Sequence, residues 1–152
     1  MSQGVWALVV ALMLATAFGA FRAVRDGRFR GTRPVQGALE TGQPDHRMKS
    51  VLAGTHLGHT LGERATLLQF SSAFCAPCRA TRRILTDLAV TVPGVEHIEV
   101  DAEHHLELVR RLGILRTPTT LILDEGGREV SRASGAPTKD TVLTTLARVI
   151  LP

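Results

Sequence analysis

Two cysteines stand three residues apart in Cys75-Ala76-Pro77-Cys78, and they are the chain's only two. In a helix, residues three apart share one face, so sulfurs at this spacing lie within bridging reach. A sulfur at the first turn of a helix also meets unpaired backbone N–H groups and the positive end of the helix dipole. Both favour thiolate over thiol, and the thiolate is the nucleophile. Pro77 is tolerated there, because the amide hydrogen it lacks would have had no helical partner. Arg79 adds a nearby positive charge. Two other uses of the pair are weaker. A bridge closing so small a ring removes little entropy from the unfolded chain, so it staples little. Zinc asks for four ligands, and neither His56-x-x-His59 nor His104-His105 clearly joins the cysteines. No metal or other cofactor is expected.

The surrounding pattern predicts the elements that position this pair. Ala65–Phe70 is an apolar run of strand length, and Ala76–Val90 follows as a helix with Ile84, Leu85, Leu88 and Ala89 on one face. Arg79, Arg82, Arg83 and Asp87 lie opposite, and Pro93-Gly94 stops the helix. Val95–Asp101 alternates as a strand. Glu103–Leu112 carries Leu106, Val109 and Leu112 at helical spacing, with Gly113 at its end. Thr119–Asp124 is a third strand, turned by Glu125-Gly126-Gly127 into Arg128–Ser134. Thr138 can cap a last helix whose apolar face is Val142, Leu143, Leu146, Val149 and Ile150. Asp101 and Glu103 are expected as helix-entry residues, and Arg82-Arg83 and Arg110-Arg111 as exposed helix faces. The order is β-α-β-α-β-β-α, which makes a mixed sheet flanked by helices, an α/β fold.

A CxxC leaving a strand and entering a helix reads as a redox motif. With Pro77 between the cysteines, Thr117-Pro118 before a later strand, and Gly135 after the hairpin, the chain resembles the thioredoxin family over roughly residues 60–151. More narrowly it resembles the membrane-anchored thioredoxin-like proteins of bacteria. The resemblance implies a thioredoxin-like fold and two-step dithiol–disulfide exchange, in which Cys75 attacks a protein disulfide and Cys78 resolves the mixed disulfide. It also implies a cis Pro118 beside Cys75, with Thr117 pairing its backbone to the bound peptide. Ser134-Gly135 would form the groove's rim, and Phe74 would give the apolar contact the family usually makes with Trp. A disulfide-containing protein substrate and an upstream electron donor, a reductase, are the implied partners. Three further positions depart from the family. Ala76 replaces the usual Gly. Gln69 stands where a buried acid usually takes the second cysteine's proton, which an amide cannot do. His97 stands where a lysine usually accompanies that acid, and it is a candidate for proton transfer or tuning, as is Arg79.

The rest of the chain bounds the function. From Gly4 to Phe21 no residue is charged, and a helix of that length, about 27 Å, approaches the roughly 30 Å hydrocarbon core. A retained single-span anchor over residues 1–24 is expected. A cleaved signal peptide is the rival, disfavoured because no charge precedes the run, and a buried helix is the other. Arg22, Arg25, Arg28, Arg30 and Arg33 against Asp26 account for the whole net charge of +4, leaving the remainder neutral. That concentration of charge gives no basis for a nucleic-acid-binding face. It does place the C-terminal side in the cytoplasm by the positive-inside rule, with an extracytoplasmic domain as the alternative. Residues 25–60 read as a basic juxtamembrane segment and linker, with one short strand near Val51–Leu57, and residues 61–152 as the thioredoxin-like domain. The expected activity is thiol–disulfide exchange, reducing protein disulfides. A tethered thioredoxin-fold binding module with dispensable cysteines is the alternative from another class.

Overall fold

The central strand explains the architecture. In the computed structural model, which describes residues 3–31 and 50–151, Ala65–Ser71 (β2) is buried at every position. Its two faces belong to two cores. Ala65 and Leu67 pack with Leu85 and Leu88 of Ala76–Thr91 (α2) and with Val142 and Leu146 of Lys139–Ile150 (α4). Leu68 and Phe70 pack with Ile98, Val100, Leu121 and Leu123 from the neighbouring strands, and with Leu108 of Leu106–Arg111 (α3). A strand buried on both faces has no solvent side, so it reads as a continuous apolar run.

β2 pairs in parallel with Val95–Asp101 (β3) and antiparallel with Thr119–Asp124 (β4), which pairs antiparallel with Glu129–Ser134 (β5). The short Phe29–Gly31 (β1) adds to the open edge of β5, giving the order β1-β5-β4-β2-β3. The expected mixed sheet with helices on both faces is therefore present. Preceding it is Gln3–Arg25 (α1), whose Gly4–Phe21 stretch is long and apolar enough to cross a membrane and is not buried by the rest of the chain. A signal sequence would share those properties.

Three expectations change. Residues 51–57 form turns leading into a 3-10 helix, His56–His59, and contain no strand. The Leu52 carbonyl accepts from both the Thr55 N–H and the Thr55 hydroxyl (2.7 Å), and Gly54 takes φ +76°. These local bonds supply the backbone partners that a strand would have sought across a sheet. Leu52 drops fully into the core, so packed structure begins before residue 61. Part of the expected linker is also built into the sheet as β1, whereas Arg33 and residues 32–49 lie outside the described residues. Finally, α3 starts at Leu106, not Glu103. The Asp101 carboxylate accepts from the Glu103 N–H (2.8 Å) and bonds His104 Nδ1 (2.9 Å), holding that stretch in turns. The helix ends as expected: Gly113 (φ +61°) and Ile114 return their N–H groups to Arg110 and Val109.

Candidate active site

The junction between β2 and α2 holds the two cysteines, joined as a disulfide with their Cα atoms 5.2 Å apart. Cys75 is the N-cap of α2 in an extended conformation, and its Sγ accepts the Cys78 N–H at 3.1 Å. One orphan donor of the first turn is thus aimed at the first sulfur. Ala76 and Pro77 occupy the next two positions, both exposed, where proline breaks no helical bond. Cys75 is half-buried, while Cys78, one turn deeper, is 1% exposed. The two chemically identical residues therefore face different solvents.

Facing this junction is the loop before β4. The Thr117-Pro118 peptide bond is cis, and Pro118 is buried. The Ser72 and Thr117 hydroxyls share a hydrogen bond of 3.0 Å, which ties the loop before α2 to the loop before β4. Neither the N–H nor the carbonyl of Thr117 has a partner among the described residues. Gly135, at φ +97°, donates its N–H to the Pro118 carbonyl (2.8 Å) and closes this rim. Phe74 is 100% exposed and Leu115 is 95% exposed, and they flank the rim.

The other side of the disulfide is a cleft of about 390 Å³ lined by Ser71, Ser72, Arg79, Arg82, Glu99 and Asp101 among others. Arg82 Nη2 and Nε meet the two Glu99 oxygens at 2.7 and 2.6 Å. Hydrogen bonds from the Glu103 N–H and from His104 hold the Asp101 carboxyl below its ordinary range. Arg79 is exposed at the cleft mouth, one residue after Cys78.

Gln69 lies beneath the junction, fully buried, donating Nε2–H to the Cys78 carbonyl at 3.0 Å. Its Oε1 has no partner among the described residues, and neither have the buried hydroxyls of Thr81 and of Thr120, its cross-strand neighbour. His97 sits on the same face of the sheet, registered with Leu67, while Glu99 is registered with Gln69. Its Nδ1 bonds the Thr86 hydroxyl (3.1 Å), not Gln69, and its buried Nε2 has no partner among the described residues. Burial pushes its pKa down, Glu99 opposes that shift, and Arg82 adds to it.

The structure thus gathers Phe74, Cys75, Ala76, Pro77, Cys78, Thr117, Pro118 and Gly135 at one end of the sheet, with Gln69 below and His97 displaced along β3. Sequence reasoning missed three participants. Glu99 shares β3's alternation with His97, and Arg82 follows Cys78 by four residues, so periodicity placed both near the pair without pairing them. Leu115 carried no local signal.

Comparison with known proteins agrees with this geometry. The family model described as Thioredoxin matches residues 54–148. Thioredoxin of Chlamydia trachomatis is 26% identical over 101 residues, which is 66% of this chain and 98% of that protein. Thioredoxin of Alicyclobacillus acidocaldarius is 31% identical over 90 residues, 59% of this chain and 85% of its own. Among solved structures, Fasciola hepatica thioredoxin matches with a TM-score of 0.53 at 28% identity, over 61% of this chain and 86% of that one. Matched from ahead of the strand that delivers the first cysteine into the helix that closes the sheet, the chain belongs to the thioredoxin family, and its paired cysteines make it a thiol–disulfide oxidoreductase.

Proposed function

We propose that the protein is a membrane-anchored reductant of protein disulfides, with Cys75 as nucleophile and Cys78 as resolving thiol. The observation that carries this is the asymmetry of the pair: the accessible sulfur receives a helix N–H, and the buried one does not need to meet substrate. In the reduced enzyme the Cys75 thiolate attacks one sulfur of the substrate disulfide, and the other sulfur leaves as a thiolate. Cys78 gives up its proton and attacks Cys75 Sγ. The second substrate thiolate then departs, and the Cys75–Cys78 disulfide seen here remains. Two electrons have passed to the substrate, and a dithiol donor upstream restores the pair.

The N–H and carbonyl of Thr117, without a partner among the described residues, fit a substrate strand laid along the rim, and Phe74 fits an apolar side chain beside the scissile disulfide. Gln69 cannot accept the proton of Cys78 and instead holds that residue's carbonyl, positioning the first turn. The proton goes to water in the cleft; His97 lies outside the cleft lining, further along β3, and burial lowers its pKa, so its part is a relay through water and not that of a base. The five arginines after the apolar stretch Gly4–Phe21 support a cytoplasmic domain.

Alkylation across a pH series tests the nucleophile: the first thiol is expected to titrate below a free cysteine, and one no more acidic than free, with insulin left intact, refutes the reading. A Cys78→Ser variant should accumulate a mixed disulfide through Cys75, which also delivers the substrate for identification. Retained partner binding with no disulfide reduction by the unmutated chain would favour the binding-module alternative. Orientation is read by labelling a surface cysteine with an impermeant reagent in whole cells, in a Cys75→Ser/Cys78→Ser background, where labelling would place the domain outside.

A further inference from the structure

The apolar helix does not lead into the domain through a slack tether. α1 ends at Arg25, and the second residue after it, Gly27, already donates its N–H to the Ser134 carbonyl at 2.9 Å. Asp26 accepts from Arg116 Nη2 at 2.8 Å, and the same nitrogen donates to the Ser134 carbonyl at 2.7 Å. Gly27, at φ +76°, is pressed so close that an added Cβ would overlap the Ala136 carbonyl. β1 then continues the attachment by pairing Phe29 with Ala133 and Arg30 with Arg132. The residues gripped, Arg116 and Ser134, are the immediate neighbours of Thr117 and Gly135. The anchor is therefore fastened to the rim of the groove itself.

Chain geometry turns this into a distance. Two extended residues reach at most about 7 Å, and the single helical turn between Phe21 and Arg25 rises about 6 Å. Gly27, hydrogen-bonded to the rim at Ser134, thus lies within about 13 Å of the end of the apolar stretch, in or just above the lipid headgroups when that stretch spans the bilayer. Phe74 and Leu115, fully exposed on the same rim, suit an interface of mixed polarity, and Arg28 adds an exposed basic group beside the attachment.

Resting on the reading of α1 as a retained anchor and of the pair as a reductant, we infer that the groove faces the membrane surface and that its substrates are disulfides in the juxtamembrane segments of other membrane proteins. Disulfides carried far above the bilayer are disfavoured by their lower effective concentration at the groove. The exchange itself is unchanged: the cysteine pair is oxidised to its disulfide, the substrate disulfide is reduced to two thiols, and a dithiol such as dithiothreitol resupplies the electrons.

The test uses the full chain in vesicles of phosphatidylcholine and phosphatidylglycerol, with dithiothreitol as donor. Two fluorogenic disulfide peptides are attached to lipid through Gly-Ser spacers of 4 and of 24 residues. The short-spacer probe is expected to be reduced about tenfold faster, following the fall of effective concentration with tether length. Inserting twenty Gly-Ser residues between Arg25 and Asp26 keeps the domain's own contacts but frees it from the anchor, and should abolish that preference while leaving insulin reduction unchanged. Equal rates, or faster reduction of the long-spacer probe by the native chain, overturn the inference. Failure of the chain to float with the vesicles overturns the anchor reading, and failure to reduce either probe or insulin overturns the reductant reading; each removes the inference with it.

Discussion

The two sides of the disulfide are built on opposite principles. On the cleft side polar groups are committed: Arg82 is held by both oxygens of Glu99, and Asp101 by Glu103 and His104. On the rim side the backbone of Thr117 has no partner among the described residues, and two large apolar side chains, Phe74 and Leu115, are left in solvent. Unmet hydrogen-bonding groups beside exposed apolar area are what a docking peptide can satisfy, whereas satisfied ion pairs offer it little. In the proposed mechanism the rim therefore receives the substrate and the cleft exchanges protons.

Breaking the sulfur shared by both sides has the largest effect. Cys75→Ser should remove disulfide reduction in an insulin turbidity assay altogether, while peptide binding along the rim survives. Next comes the rim alone. Phe74→Ala with Leu115→Ala removes apolar contact worth about 1–2 kcal/mol to a docked peptide, so kcat/KM should fall about tenfold. Because neither side chain is packed, Tm should stay within about 1 °C in calorimetry. A comparable loss of stability would show that these residues belong to the fold and not to the binding surface.

The cleft should answer more weakly. Arg82→Ala releases a half-exposed ion pair, for which urea denaturation should show a loss of about 0.2–1 kcal/mol, shrinking further at high salt, with kcat/KM within about twofold of the native chain. A large drop in activity would move substrate binding to this side. The smallest expected effect is the His97 titration. Its folded pKa lies below the unfolded value of 6.5, so on acidification the unfolded chain takes up the proton first. Its contribution to stability is complete above that pH and is lost as pH falls from 6.5 through the folded value. His97→Ala should flatten this part of the stability profile. It should also shift the pH–rate profile, and an unchanged rate profile would take His97 out of the proton path.

Much of this molecule is written locally. Ala65–Ser71, Val95–Asp101 and Thr119–Asp124 announce themselves because strand burial repeats every one or two residues. Cys75 and Cys78 announce themselves because helix-start chemistry needs only four residues in a row. The Thr138 cap and the Gly113 stop are likewise short-range devices. Leu52, by contrast, sits among Gly, Thr and His with no period to betray it, and only the cavity left by the other elements draws it into the core.

What the sequence by itself determined is which residues become strands and helices and where the reactive sulfur falls, since those depend on neighbours within a turn or a pleat. What only the tertiary structure decided is who meets whom across the chain: β1 on β5, Arg82 on Glu99, Ser72 on Thr117, and Asp26 on Arg116 ninety positions away. Such contacts form only after long loops have closed, and their partners are chosen by the packing of everything between them, so no local pattern carries them.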